Sequence, residues 1–321
     1  PDAELRSLPT VVFAQTARSI IMRNDSPDVP FTQSINPYQG CEHGCIYCYA
    51  RPSHAYLNLS PGIDFETRIF AKTNAAELLR SELAARAYRC SPIALGANTD
   101  PYQPAERAQR ITRGVLEVLS ECRHPFTITT KGALVERDLD LIAPAAALGL
   151  ARVFVSVPQL DHALARRLEP RAAAPARRIE TIRRLAAAGV PTGVLVAPVI
   201  PFLNDHELEA VLAAARAAGA TTAAFIVLRL PHEVRGLVDA WLQEHQPLKR
   251  ERVLNALREM RGGRDNDPRF GSRMTGSGPF AELIAGRFAL AARRLGFADE
   301  PTELRSDLFR PPPPGQQLEL F

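Results

Sequence analysis

Apolar and polar positions follow two periods along this chain. Short β-rich runs occur at "SPIALGANT" (91–99), "FTITTKG" (126–132), "ARVFVSVPQ" (151–159), "PTGVLVAPVIP" (191–201) and "TTAAFIVLRL" (221–230), and each predicts a strand. Between them, "AQRITRGVLEVLSEC" (108–122), "VERDLDLIAPAAALGL" (135–150), "PARRIETIRRLAAAGV" (175–190) and "NDHELEAVLAAARAAG" (204–219) carry apolar residues at helical spacing. Pro144 marks a boundary or kink in the second helix, Gly189 closes the third, and Asn204 caps the fourth. Upstream, "FTQSINPYQ" (31–39) supplies a first strand and "NAAELLRSELAARAY" (74–88) a first helix. The alternation predicts an α/β protein of about six βα units, with a parallel sheet that is open or curved into a partial barrel.

After Arg229 the strands stop. "VRGLVDAWLQEHQ" (234–246), "KRERVLNALREMR" (249–261) and "AELIAGRFALAARRLGF" (281–297) predict helices, the last two joined by the Gly- and Arg-rich link 261–278. The expected organisation is an N-terminal arm (1–30), the sheet domain (31–230), a C-terminal helical cap (231–300) and a Pro-rich flexible tail (301–321).

Composition narrows the class. The 321 residues are 46% hydrophobic and 23% charged, ordinary for a cored globular protein. No apolar run approaches a membrane span, and the first residues lack the order of an export signal, so a cytoplasmic protein is expected. The chain starts on Pro1, so a natural N-terminus upstream is expected. A net charge of +4 tolerates nucleic acid without demanding it. Five cysteines, three of them clustered, do not form a disulfide framework, and an intracellular metal or cluster site is expected instead.

Those three are Cys41, Cys45 and Cys48 in "INPYQGCEHGCIYCYAR" (35–51). Thiolates at this spacing converge on one metal centre. Structural zinc closes its tetrahedron with four protein ligands, and a cubane iron–sulfur cluster also has four corners. Either a distant residue supplies the fourth bond, or one iron is left open. Chemistry in parallel α/β proteins gathers at the carboxyl ends of strands. The three-Cys loop follows the first strand, at that end. Cys90 and Cys122 precede strands, at the other end, and read as buried hydrophobes. His43 and His54 are weaker candidates for a fourth ligand, and the open-corner cluster is preferred.

This Cys-x3-Cys-x2-Cys loop, with Tyr47 before its last Cys, resembles the radical S-adenosylmethionine superfamily. The resemblance covers about residues 31–230, whose alternation matches that family's partial (βα)6 TIM-like barrel. It implies a [4Fe-4S] cluster whose open iron chelates S-adenosylmethionine. It also implies an electron donor such as flavodoxin or ferredoxin, and reductive cleavage to a 5′-deoxyadenosyl radical that abstracts substrate hydrogen. More narrowly, "SINPYQGCEHGCIYCYARPSHAYL" with "GANTDPYQPAE" is similar to a bacterial branch related to spore photoproduct lyase, a DNA repair enzyme. That resemblance implies roles by position. Lys131 would pair with the cofactor carboxylate, Ser156 would touch its ribose or carboxylate, and backbone at Val196 and Ala197 would border its adenine. Tyr47 would pack near cluster and adenine, and Asn98, Thr99 and Asp100 would line the pocket. Tyr49 and Tyr56 read as packing residues. The sequence departs from the family at two points. "GANTD" replaces the common Gly-Gly-Glu stretch, and Ala97 stands where the lyase has its hydrogen-donating Cys.

The segment 161–184 is rich in arginine. Arg166, Arg167, Arg171 and Arg177 are candidate nucleic-acid contacts at the active-site end; Arg178, Arg183 and Arg184 are equally explained as a solvated helix face. The terminal "QLELF" (Gln317, Leu318, Leu320 and Phe321 as anchors) resembles the peptide that docks bacterial repair proteins on the DNA sliding clamp. The combined expectation is a radical S-adenosylmethionine enzyme acting on DNA or other nucleic acid. Its rivals are the same chemistry on a small molecule, RNA or protein, and a non-catalytic zinc module that binds nucleic acid.

Overall fold

A computed structural model describes residues 9–313. Its strands in chain order are β1 (Val11–Gln15), β2 (Met22–Arg23), β3 (Gln33–Ile35), β4 (Tyr38–Gln39), β5 (Arg68–Lys72), β6 (Ile93–Leu95), β7 (Phe126–Thr130), β8 (Ala151–Ser156), β9 (Thr192–Val199) and β10 (Thr222–Val227). The helices are α1 (Asp64–Thr67), α2 (Ala75–Ala84), α3 (Glu106–Gln109), α4 (Ile111–Glu121), α5 (Leu139–Ala147), α6 (His162–Leu168), α7 (Pro175–Ala187), α8 (Leu208–Ala217), α9 (Val234–His245), α10 (Arg250–Glu259) and α11 (Pro279–Leu295).

The main sheet runs β10-β9-β8-β7-β6-β3-β2. From β3 through β10 every neighbouring pair is parallel, and the two-residue β2 closes one edge antiparallel to β3. Parallel neighbours need long crossovers, which α2, α4, α5, α7 and α8 supply. The strand order follows the chain and leaves β2 and β10 unjoined. This is the open sheet of six parallel strands that the alternation predicts, the frame of a partial TIM-like barrel. The strands are covered on both faces. Ile128, Val153, Val155, Val194 and Val196 are buried, and α4 presses Val115, Leu116, Val118 and Leu119 onto the sheet. That spacing puts one apolar stripe on the helix.

Three differences from the sequence reading emerge in the sheets. The stretch 31–39 is not one strand: β3 belongs to the main sheet, while β4 pairs antiparallel with β5. Asn36 and Pro37 separate them. Pro37 has no N–H to give a ladder, and its carbonyl accepts from the Lys72 amide at 3.0 Å. The β1 and β5 runs, which the sequence reading does not include, are parallel partners in a second sheet outside the βα alternation. The strand at 91–99 stops at Leu95 because Gly96 turns the chain at φ +87°.

Helices α9–α11 continue the same core through Val238, Trp241, Leu257 and Ile284. Residues 301–310, expected to belong to a flexible tail, lie across the amino ends of the strands. The Arg305 amide donates to the Gly149 carbonyl at 3.0 Å and the Arg310 amide to the Cys122 carbonyl at 2.8 Å. Phe309 packs edge-on to His124, with ring centroids 5.2 Å apart. The apolar pair Leu308–Phe309 anchors this stretch. Among the described residues no helix is long and apolar enough to cross a membrane.

Candidate active site

The loop after β4 carries the three cysteines, and its shape is held from beneath. Arg51 is 1% exposed. It donates to the carbonyls of Cys45 (2.8 Å), Gly44 (3.0 Å) and Gly62 (2.6 Å), and pairs with Glu66 at 2.7 Å. Arg171 also pairs with Glu66, at 3.6 Å, and its backbone amide donates to the His43 carbonyl at 3.3 Å. Gly44 bends the loop at φ +66°, where a Cβ would lie 2.8 Å from a Glu66 carboxylate oxygen. A buried guanidinium bound mainly to carbonyls fixes backbone, not chemistry, and here it ties Gly44 and Cys45 to Gly62.

The loop faces a cavity of about 220 Å³, far more than the ~10–15 Å³ that one water occupies. Cys41, Cys45 and Cys48 line it, with the residues that leave the carboxyl ends of the strands: Asn98 and Asp100 after β6, Lys131 after β7, Ser156 on β8, Ala197 on β9 and Arg229 after β10. Burial raises all three thiols; Cys45 is pushed up to about 12, with Glu169 adding to the burial. A metal centre bound here must displace those protons. Among the described residues no three His, Cys, Asp or Glu side chains converge as ligands of a single ion would. The three cysteines do line one cavity, and in a polynuclear centre each sulfur takes its own metal.

The other candidate ligands are engaged or remote. His43 lines the cavity, but its Nδ1 lies 3.3 Å from Asp100. The His54 ring is buried, with Nε2 3.0 Å from the Arg68 carbonyl. Cys90 and Cys122 lie at the amino ends of the strands, as expected, but only Cys122 is buried and Cys90 is half-buried. The donor set fits a cluster held by three thiolates.

Asp100 organises the rim. It accepts from the Thr130 hydroxyl (2.7 Å), the Lys131 amide (2.7 Å) and the Tyr102 amide (2.8 Å). Burial would raise its carboxyl, but His43 and these donors outweigh burial and hold it below the ordinary range. Asn36 accepts from the Asn98 amide at 2.9 Å and so holds the turn after β6. Lys131 Nζ donates to the Ser156 hydroxyl and, at 3.3 Å, to the Ala197 carbonyl.

Behind Lys131 lies a buried network that the sequence reading missed. Glu169 pairs with Lys131 at 3.3 Å, accepts from the Tyr47 hydroxyl, and pairs with Arg178. Arg178 also donates to the Ser156 carbonyl at 3.0 Å. Burial opposes ionisation of Glu169, yet Arg178 and Lys131 bring its carboxyl down to about 2. The available signal was a lone acid among arginines in "RRLEPRAAAPARR".

The remaining candidates divide. Thr99 turns away from the cavity, its hydroxyl on the Tyr38 carbonyl at 2.8 Å. The Val196 side chain is core. Ala97 has its carbonyl capped by the Tyr49 hydroxyl. Tyr56 is not a packing residue, being 91% exposed, whereas Tyr49, half-exposed, lines the cavity. Nor does the arginine-rich segment form a single basic funnel. Arg171 is tied to Glu66, Arg177 to Glu136 at 2.6 Å, and Arg178 is buried, not solvated. Arg166 and Arg167 are exposed. Gln317, Leu318, Leu320 and Phe321 lie outside the described residues.

Comparison with known proteins bears on the family and the fold. The sequence model of the radical SAM superfamily matches residues 35–215. Uncharacterised proteins of Mycobacterium bovis and Mycobacterium tuberculosis are 42% identical over 221 residues, 68% of this chain and 65% of theirs. The chain therefore spans about two thirds of the length of these relatives. Spore photoproduct lyase complexed with dinucleoside spore photoproduct shares the fold at a TM-score of 0.62 and 16% identity, over 89% of this chain and 80% of that one. A mutant of that lyase with bound AdoMet and the same dinucleoside gives a TM-score of 0.64 at 15% identity, over the same shares. With the superfamily match spanning more than half of its residues, this chain belongs to the radical SAM superfamily.

Proposed function

We propose that this chain is a radical S-adenosylmethionine enzyme acting on nucleic acid, with Cys41, Cys45 and Cys48 holding a [4Fe-4S] cluster. The observation that carries the reading is a single cavity bringing these three thiols, two buried and that of Cys48 half-buried, to the Lys131–Ser156 pair. When bound, cluster and cofactor supply one-electron cleavage of the sulfonium and hydrogen-atom abstraction, with electrons from a flavodoxin or ferredoxin. The chain's own residues bind and orient. Lys131, aimed by Glu169 and Ser156, offers an ammonium to the cofactor carboxylate. Tyr47, held by Glu169, sets one flat wall beside Cys45 and Cys48. The Ala197 carbonyl and the Asn98–Asp100 turn border the rest, and burial keeps water from the reacting atoms.

Nucleic acid as substrate is supported by the fold shared with a lyase that binds a dinucleoside photoproduct, by a pI of about 9.0 and by exposed Arg166 and Arg167. Ala97 in place of the lyase's Cys argues for a reaction different from that relative's. Clamp docking by residues 317–321 rests on sequence alone.

The test is anaerobic reconstitution followed by reduction with dithionite. Iron and sulfide should be bound, and S-adenosylmethionine should give 5′-deoxyadenosine faster when single-stranded DNA, duplex DNA or RNA is present. A colourless zinc protein would sink the radical reading. Turnover indifferent to every nucleic acid would leave the chemistry and remove the substrate.

A further inference from the structure

Arg229 stands apart from the other arginines of the site. It follows β10 and lines the cavity with the three cysteines. It is half-buried, its Nε is buried without an acceptor, and its polar contact is the Met274 sulfur at 3.9 Å. Acids on adjoining segments pair with other arginines, Asp28 with Arg273 and Asp267 with Arg269, so that Asp28 acts on Arg229 only through space. Arg261 is buried beside it and donates to the Leu228 carbonyl at 3.2 Å and the Arg273 carbonyl at 2.9 Å. This fixes the strand end that presents Arg229 and adds positive charge. Burial first, then the Arg273 charge, lower the Arg229 pKa. Partly buried cations without a counter-ion are costly, so this corner lacks an anion.

Resting on the radical-enzyme reading above, we propose that Arg229 is the anion-binding residue of the substrate subsite, taking a phosphate, or else a carboxylate, of the substrate in its guanidinium fork. The planar fork matches either oxyanion bidentately. It is a different subsite from that at Lys131. Arg229 follows β10 and Lys131 follows β7, three strand spacings apart in the sheet order, or about 14 Å along the sheet at ~4.8 Å per spacing.

The test uses the anaerobically reconstituted full chain and four probes: inorganic phosphate, thymidylyl-thymidine, its uncharged methylphosphonate, and glutarate. Binding is read by calorimetry and by melting temperature. Phosphate and thymidylyl-thymidine should bind the wild type at least tenfold more tightly than they bind Arg229→Gln. The methylphosphonate should not discriminate, and Arg229→Lys should fall between. Without ligand, Arg229→Gln should melt no lower than wild type, because it removes a half-buried charge that has no direct ion pair. Discrimination by glutarate alone would keep the subsite, assign it a carboxylate and count against the nucleic-acid reading. Thymidylyl-thymidine bound equally by wild type and Arg229→Gln would overturn the subsite and leave that reading standing. No probe binding the wild type, or a ligand-free Arg229→Gln that melts lower while binding every probe normally, would also overturn it.

Discussion

Glu169 and Arg178 meet behind the cavity wall, their side chains 0% and 2% exposed, and from there the pair reaches Tyr47, Lys131 and the Ser156 carbonyl. One carboxylate thus sets both an aromatic of the cysteine loop and the ammonium of the neighbouring strand. Removing one partner of such a pair leaves a buried charge, at a cost of about 3–5 kcal/mol. Glu169→Gln should therefore lower the urea midpoint by an equivalent amount. Glu169→Gln combined with Arg178→Met should cost less than the sum of the two single changes. Strict additivity would mean that the pair is not an energetic unit.

Lys131→Met removes the ammonium but keeps most of the stem. A hydrogen bond to a charged group contributes about 1.5–3 kcal/mol, so S-adenosylmethionine binding to the reconstituted protein should weaken roughly 10- to 100-fold. Equilibrium dialysis measures this directly. An unchanged Kd would place the cofactor carboxylate elsewhere.

Iron content separates the five cysteines. Cys41→Ala, Cys45→Ala and Cys48→Ala should each lose the cluster, seen as loss of brown colour and of iron per chain. Cys90→Ala and Cys122→Ala, at the other end of the strands, should keep it. Iron lost with Cys90 would require a different set of ligands.

Gly96 has the least room of the rim glycines. A Cβ there would stand 2.2 Å from the Thr129 carbonyl oxygen, at a φ of +87°. Backbone cannot yield as a flexible side chain can, so Gly96→Ala should destabilise by at least about 2 kcal/mol. Gly189→Ala, with φ +75° but open space around it, should cost only the backbone strain of about 1–2 kcal/mol. Chemical denaturation of both variants tests the ranking.

His124 sets a pH dependence. It is fully buried against Phe309, with its Nε2 2.7 Å from the Tyr88 hydroxyl, and burial lowers it from 6.5 to about 4. The unfolded chain takes up a proton below about pH 6.5 that the folded chain refuses until about pH 4. Stability should therefore fall with pH across that window, by up to about 1.4 kcal/mol per pH unit from this residue. His124→Gln should flatten this part of the curve. An unaltered slope would mean that the ring is protonated in the folded protein.

The sequence alone determined the six parallel strands, the position of the cysteine loop after the first of them, and the placing of Cys90 and Cys122 away from the site. These are matters of local period and chain order. Lys131 and Ser156 came from the family resemblance, and the structure places both at the carboxyl ends of strands, on the cavity. Only the tertiary structure decided which charges face one another. "RRLEPR" reads as an exposed basic surface until packing brings Glu169 against Arg178 and Lys131. Arg229 reads as the end of a strand until the 261–278 link closes over β10, with the Val227 amide on the Met274 carbonyl at 2.9 Å. Burial and pairing of an ionic group depend on segments far apart in the chain, and hydrophobic period does not encode which of them meet.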